Sequence, residues 1–472
     1  MINKANIKNR LHLMFFSILI ASFLLQGCSD VENDPIDQQR DGNQLIIPPL
    51  LEDQNPDPDI VEYKLNVQAG KTEFFPDVMT DSLGYNGNYL GPVLRLRRNQ
   101  QVDITVTNNL NELTTVHWHG MEISGEDDGG PHQQIQPGDE WKPSFVVNQP
   151  AATLWYHPHP HANTGPQVYY GLAGLIYIED EVSDSLNIPK DYGVNDIPLI
   201  IQDRNFDNDG NFIYALNMMG LVPGNTILVN GTVDSYVEVN REQIRLRILN
   251  GSNFENFELH LDDGSSFFQI ASDGGFLENP VRRDSAFMTP GERVEVIVDF
   301  SSVQFEKVVL MAGNSEIVTF YINDSSGEKT EIPEHLTTVQ DIPIGTGPNT
   351  RLFVLQGMGI NGTINGKSYD MARIDEEVKL NETELWVIRN QGGMMMNAGG
   401  HSFHVHGTQF QVVSRNGDPP PPYEMGLKDT IFVDTGEEVV IKVRFEYEGI
   451  YMYHCHLLEH EDYGMMGQFR VR

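Results

Sequence analysis

The stretch "TGEEVVIKVRFEYEGIYMYHCH", Thr435 to His456, decides the fold. Its first half is led by a glycine turn and then alternates apolar and polar residues, the pattern of a half-buried β-strand. After a short acidic turn a second apolar run ends in His-Cys-His. The same passage occurs twice earlier. "PGDEWKPSFVV" from Pro137 leads to "LWYHPHPH", and "PGERVEVIVDF" from Pro290 leads to "VVLMAGN". Each copy follows a strand that runs into an Asn turn: "QVDITVTNN" (101–109), "QIRLRILNG" (243–251) and "ELWVIRNQ" (384–391). No long helical pattern intervenes. The repeat therefore predicts an all-β chain of three similar β-sandwiches, over 59–180, 190–325 and 335–472. Only the first and last copies end in histidines, which predicts a site shared between those two, with the middle copy as a spacer.

Ten of the fifteen histidines fall in four clusters: His117 and His119; His157 and His159; His401, His404 and His406; His454, His456 and His460. Side chains alternate faces along a strand. His117 and His119 therefore share a face, as do His404 and His406, and His454 and His456, while Cys455 points away from its neighbours. One tripeptide serves two sites back to back. On the cysteine side, His401, His460 and Met465 complete two imidazoles, a thiolate and a thioether, the set of a trigonal blue-copper site. Zinc would accept two histidines and a cysteine, but a methionine is a poor zinc ligand. Eight histidines remain on the other face, more than one zinc requires and suited to several copper ions.

The amino terminus carries Lys4, Lys8 and Arg10 and then an apolar run from Leu13 to Leu25, too short to span a bilayer and ordered like an export signal. It ends "LLQGCSD", which resembles a bacterial lipoprotein box. Residues 1–27 read as a lipoprotein signal peptide, Cys28 as the lipidated residue, and residues 28–58 as an acidic flexible tether. The expectation is an exported lipoprotein of the cell envelope, on the periplasmic side or in the outer membrane, anchored through Cys28. With Cys28 acylated, Cys455 has no partner for a disulfide, which points to a functional thiol. A formal charge of −36 repels polyanions, so no nucleic-acid partner is expected.

These motifs resemble those of the three-domain multicopper oxidases, the laccases and bacterial cuprous oxidases. "HWHGMEISGEDDGGP" and "HCHLLEHEDYGMM" are especially similar to the cuprous oxidase branch. The resemblance covers nearly the whole mature chain. It implies three cupredoxin-like Greek-key sandwiches and four copper ions. His401, Cys455, His460 and Met465 would form the type 1 site, and His117 and His404 the type 2 site. His119, His157 and His456 would hold one type 3 ion, and His159, His406 and His454 the other. Electrons would pass through Cys455, and Asp128 and Glu461 resemble the family's proton-relay acids. The implied reaction couples four one-electron oxidations to reduction of dioxygen to water, in a monomer.

The donor is open between Cu(I) and phenols. The Met-rich insertion common in cuprous oxidases is missing; "LQGMGINGTINGKSYDM" holds only Met358 and Met371. Met394, Met395 and Met396, just before His401, could form a Cu(I) site, line an apolar pocket for phenols, or be strand core. The alternative function is a copper-binding envelope protein, for storage or as a scaffold, without oxidase turnover. The filled ligand set argues against the scaffold.

Overall fold

The computed structural model describes residues 40–472 apart from 219, 328–330, 358 and 393–398. The signal peptide, Cys28 and the triplet Met394–Met396 lie outside the described residues. From Gly42 to Arg472 the chain forms one compact unit, nearly all β, in which the helices are single short turns such as Thr164–Tyr169 and Leu458–Asp462.

The repeat in the sequence is a repeat in topology. Gln101–Asn108 runs parallel to the start of Ile60–Phe75 and antiparallel to Ser144–Val146. Gln243–Asn250 has the same two kinds of neighbour, Asp196–Arg204 and Arg293–Asp299. Thr383–Asn390 lies likewise between Asn349–Gln356 and Glu438–Arg444. The opposing sheets repeat as well. Ala152–His157, Lys307–Ala312 and Gly449–Cys455 each run antiparallel to the next strand in sequence, Gly174–Glu179, Ser315–Ser326 and Met466–Val471. The alternation read from the sequence is literal in Gln101–Asn108, where Val102, Ile104 and Val106 are buried and the intervening residues half-buried. Those apolar faces meet Val61, Tyr63 and Leu65 and the opposite sheet's Leu154 and Ile176. Each such Leu, Ile or Val contributes about 1.5–3 kcal/mol by leaving water.

One difference from the sequence reading, and one feature that reading did not address, follow from contacts that only tertiary structure supplies. First, the stretch read as a tether is partly built into the fold. Asn43–Gln44 adds a parallel edge to Ser235–Arg241, and Leu45 is buried in the middle sandwich. Edge pairing of this kind uses backbone groups of a partner some 190 residues away, so composition gave no sign of it. Second, Gln243–Asn250 is buried on both faces. Its outward arginines are covered and paired: Arg247 reaches Asp196 at 2.8 Å, and Arg245 reaches Glu295 at 2.5 Å. Thr153 of the first sandwich donates to Glu295 at 2.7 Å. The middle sandwich is wedged against its neighbour.

Candidate metal centre

Register places the ligand candidates. His404 lies opposite His454, and Phe403 opposite Cys455, in the antiparallel pair His401–Val405 and Gly449–Cys455. Residues opposite one another share a face. Cys455 therefore shares a face with Phe403 and, two residues earlier, His401, while His404 and His406 share the other with His454. In the first sandwich His117 lies opposite His157. The ten clustered histidines, Cys455 and Met465 are all buried, none more than 4% exposed.

On one side Cys455 Sγ lies 3.4 Å from His401 Nδ1 and 3.6 Å from His460 Nδ1. The loop returning through Leu458–Asp462 is pinned here, because Met465 donates its N–H to the His460 carbonyl at 2.8 Å and accepts from the Cys455 N–H at 3.0 Å. Gly362 leaves room for the Met465 thioether; a Cβ there would lie 2.8 Å from Sδ. Burial pushes the Cys455 thiol up to about 12 and His401 down to about 3. An unliganded thiolate is therefore disfavoured, and a cation is what this donor set accommodates.

On the other side eight imidazoles converge from the first and last sandwiches. His117 stacks on His406 at 3.8 Å and His119 on His404 at 3.7 Å between ring centroids. His454 Nε2 lies 3.2 Å from both His159 Nε2 and His406 Nε2, and His119 Nδ1 lies 3.4 Å from His157 Nε2. His456 sits with its ring 5.0 Å from that of His119. Burial drives His119, His157, His159, His404, His406 and His456 well below their ordinary range, with neighbouring rings adding to the effect. They are neutral donors. His117 Nε2, His404 Nε2 and both His456 nitrogens are buried with no hydrogen-bond partner. Leaving a buried polar atom unpaired costs about 1–3 kcal/mol, and a bound cation removes that cost. The residues fit copper.

The nitrogens turned away from the centre are held. His117 Nδ1 donates to the Asp128 carbonyl at 2.9 Å, His404 Nδ1 to the Asp429 carbonyl at 2.8 Å, and His406 Nδ1 contacts Asp128 Oδ2 at 2.8 Å. These three rings present Nε2 inward. His119 is the reverse: its Nε2 contacts Asp429 Oδ1 at 3.0 Å, so Nδ1 faces inward. Glu461 lies 3.2 Å from His454 Nδ1 and 3.4 Å from His159 Nδ1. Burial, with Asp462 beside it, raises the Glu461 carboxyl well above its ordinary range.

Sequence reasoning missed Asp429, Thr430, Gln409 and Arg293. Nothing in "GLKDT" or "PGER" has ligand spacing, and Arg293 belongs to the middle sandwich, read above as a spacer. The structure corrects that reading, because Arg293 reaches Asp429 at 2.5 Å beside the histidines.

Comparison with known proteins agrees with this geometry. Multicopper oxidase family profiles match residues 66–183 and 337–472. The chain is similar to "Multicopper oxidase mco" of Staphylococcus haemolyticus, 43% identical over 446 residues, which span 93% of this chain and 95% of that one. It is also similar to the "Cell division protein FtsP" of Photorhabdus laumondii, at 34% identity over 448 residues, 90% of this chain and 91% of that one. Among solved structures, a laccase from Pediococcus acidilactici superposes with a TM-score of 0.88 at 39% identity, covering 92% and 94% of the two chains.

Proposed function

The chain belongs to the multicopper oxidase family, an oxidoreductase with copper as cofactor and oxygen as acceptor, and from that premise we propose how its own residues divide the work. His401, Cys455, His460 and Met465 would hold the type 1 ion, and His117 and His404 the type 2 ion. His119, His157 and His456 would hold one type 3 ion, and His159, His406 and His454 the other. Copper, when bound, supplies the one-electron redox chemistry and the centre at which dioxygen takes four electrons and four protons to become two waters.

The observation that carries this reading is the back-to-back placement of the two donor sets. Cys455 faces His401 and His460, while its neighbours His454 and His456 face the eight-histidine cluster. The tripeptide would give electrons received at a copper on the Cys455 side a short bonded path to the cluster. Glu461 supplies protons through His454 and His159, and Asp128 orients His117 and His406 and relays protons on the opposite flank. Both carboxyls are buried, so a proton passed between them and an imidazole is not lost to bulk water.

The donor is a small reductant, Cu(I) or a phenol. Phe254 packs edge-on against His460 at 5.5 Å, which gives the type 1 side an aromatic wall. Cys28 anchors the exported protein to the envelope membrane, a reading that rests on "LLQGCSD". Some relatives are named for cell division, which favours a scaffold as second reading, but a scaffold does not need twelve buried ligand side chains. Dioxygen uptake by the copper-loaded mature protein, compared between chelated Cu(I) and dimethoxyphenol, tests the proposal. Uptake with either donor supports it and the faster one names the class; copper binding with no uptake from either returns the storage or scaffold reading.

A further inference from the structure

We propose that Asp429, clamped by Arg293 of the middle sandwich, is the positioning residue that sets the two stacked rings His119 and His404 in the histidine cluster. The inference rests on the copper reading above and goes beyond it by giving the middle sandwich, which has no ligand, a part in shaping the site.

Asp429 is fully buried, and every acceptor it has is used. Its Oδ1 accepts from Arg293 Nη1 at 2.7 Å and Thr430 Oγ1 at 2.9 Å, and contacts His119 Nε2 at 3.0 Å. Its Oδ2 accepts from Arg293 Nη2 at 2.5 Å and Gln409 Nε2 at 2.7 Å. Its main-chain carbonyl accepts from His404 Nδ1 at 2.8 Å. One residue thus fixes a ring from the first sandwich and a ring from the last, in a stack with an interplanar angle of 11°. It also selects which nitrogen each ring turns inward, Nδ1 for His119 and Nε2 for His404.

Arg293 cannot follow a moving carboxylate. Its five donors are all engaged, with the Thr153 carbonyl at 3.1 Å, the Gly291 carbonyl at 2.9 Å, the Asp273 carbonyl at 3.1 Å and the two Asp429 oxygens. The forked guanidinium therefore fixes the carboxylate's plane as well as its position. With both guanidinium Nη groups donating to its oxygens, the Asp429 carboxylate is aimed to accept the His119 N–H. Gly120, immediately after His119, makes the approach possible. Its φ is +92°, and a Cβ there would lie 2.6 Å from Asp429 Oδ2 and 2.9 Å from Arg293 Nη2.

The test uses the full copper-loaded chain as wild type, Asp429→Ala, Arg293→Met and the milder Asp429→Asn, with Asp196→Asn as control. Asp196 is another buried carboxylate facing arginines, 2.8 Å from Arg247, and it touches no ligand candidate. Readouts are copper per chain, the near-ultraviolet band of the coupled pair, the type 2 paramagnetic resonance signal and the blue band of the Cys455 site. The wild type must first show four coppers and all three signals, without which the copper reading itself fails. Given that, the Asp429 and Arg293 variants should lose most of the near-ultraviolet band and shift the type 2 signal while keeping the blue band. Asp196→Asn should keep every signal, even if its thermal midpoint falls as far. The proposal is overturned if Asp429→Ala, or Asp429→Asn where the alanine variant does not fold, keeps the wild-type near-ultraviolet band. It is equally overturned if Asp196→Asn loses that band to the same extent.

Discussion

Gly120→Ala is the substitution whose cost can be worked most completely. The added methyl would sit 2.6 Å from Asp429 Oδ2, 2.9 Å from Arg293 Nη2 and 2.9 Å from Leu154 Cδ2. Favourable contact begins near about 3.5 Å, so the carboxylate must retreat by roughly 0.9 Å. An alanine held at positive φ costs about 1–2 kcal/mol. Breaking a buried ion pair outright costs about 3–5 kcal/mol, and a partial retreat forfeits about half of that. The sum is about 3–4 kcal/mol. The clash term needs the Asp429 side chain to be present. In an Asp429→Ala background Gly120→Ala should therefore cost the backbone term and the lesser contacts with Arg293 and Leu154 but not the carboxylate's retreat, leaving a coupling of about 2 kcal/mol between the two sites. Urea unfolding of the four copper-free proteins reads this directly, followed by the fluorescence of the buried tryptophans, among them Trp155, which sits beside the cluster. A cost for Gly120→Ala that is the same in both backgrounds would refute the reasoning.

Glu461→Gln should lower turnover by about a hundredfold, the scale of a lost general acid, with the copper spectra intact; turnover within about twofold of wild type would remove Glu461 from the proton path. Met465→Leu should cost under about 1.5 kcal/mol as a near-isosteric change, yet move the reduction potential of the Cys455 site; an unmoved potential by spectroelectrochemistry would exclude the thioether as a ligand. The copper-free protein should lose stability steeply below about pH 4.5. Burial holds His401 and His454 at about 3, so the unfolded chain binds protons there that the folded chain refuses, and stability falls as pH drops from the ordinary histidine value of 6.5 toward 3. Burial raises Glu122 and Asp462 to about 7, which works the other way, but only between about 7 and their ordinary values of 4.5 and 3.8. Below that window the histidine loss continues, and the arginine-paired carboxylates Asp196, Glu295 and Asp429, held below their ordinary values in the fold, add to it. A urea midpoint that is flat between about pH 4.5 and 3.5 would contradict this account.

The histidine clusters were legible in the sequence because a strand's two-residue period turns spacing into facing, and register then brings His404 opposite His454 and His117 opposite His157. The three sandwiches were legible because each copy repeats an Asn turn and a Gly-led strand. What the sequence hid depends on partners distant along the chain. Arg293 and Asp429 stand 136 positions apart, and neither "PGER" nor "KDT" carries a local sign that they meet beside His119. An acid two residues before the strand run "IFV" reads as a solvated turn. The edge strand at Asn43–Gln44 was hidden for the same reason. Met394–Met396 lie outside the described residues, so the choice of donor passes to kinetics.

The most direct test of the central claim is a stoichiometry: copper per chain, together with donor electrons consumed per dioxygen in the loaded protein. The account predicts four coppers and four electrons per dioxygen, with water and no free peroxide. Copper held at Cys455 and the histidines without dioxygen consumption, or release of peroxide at two electrons per dioxygen, would contradict it.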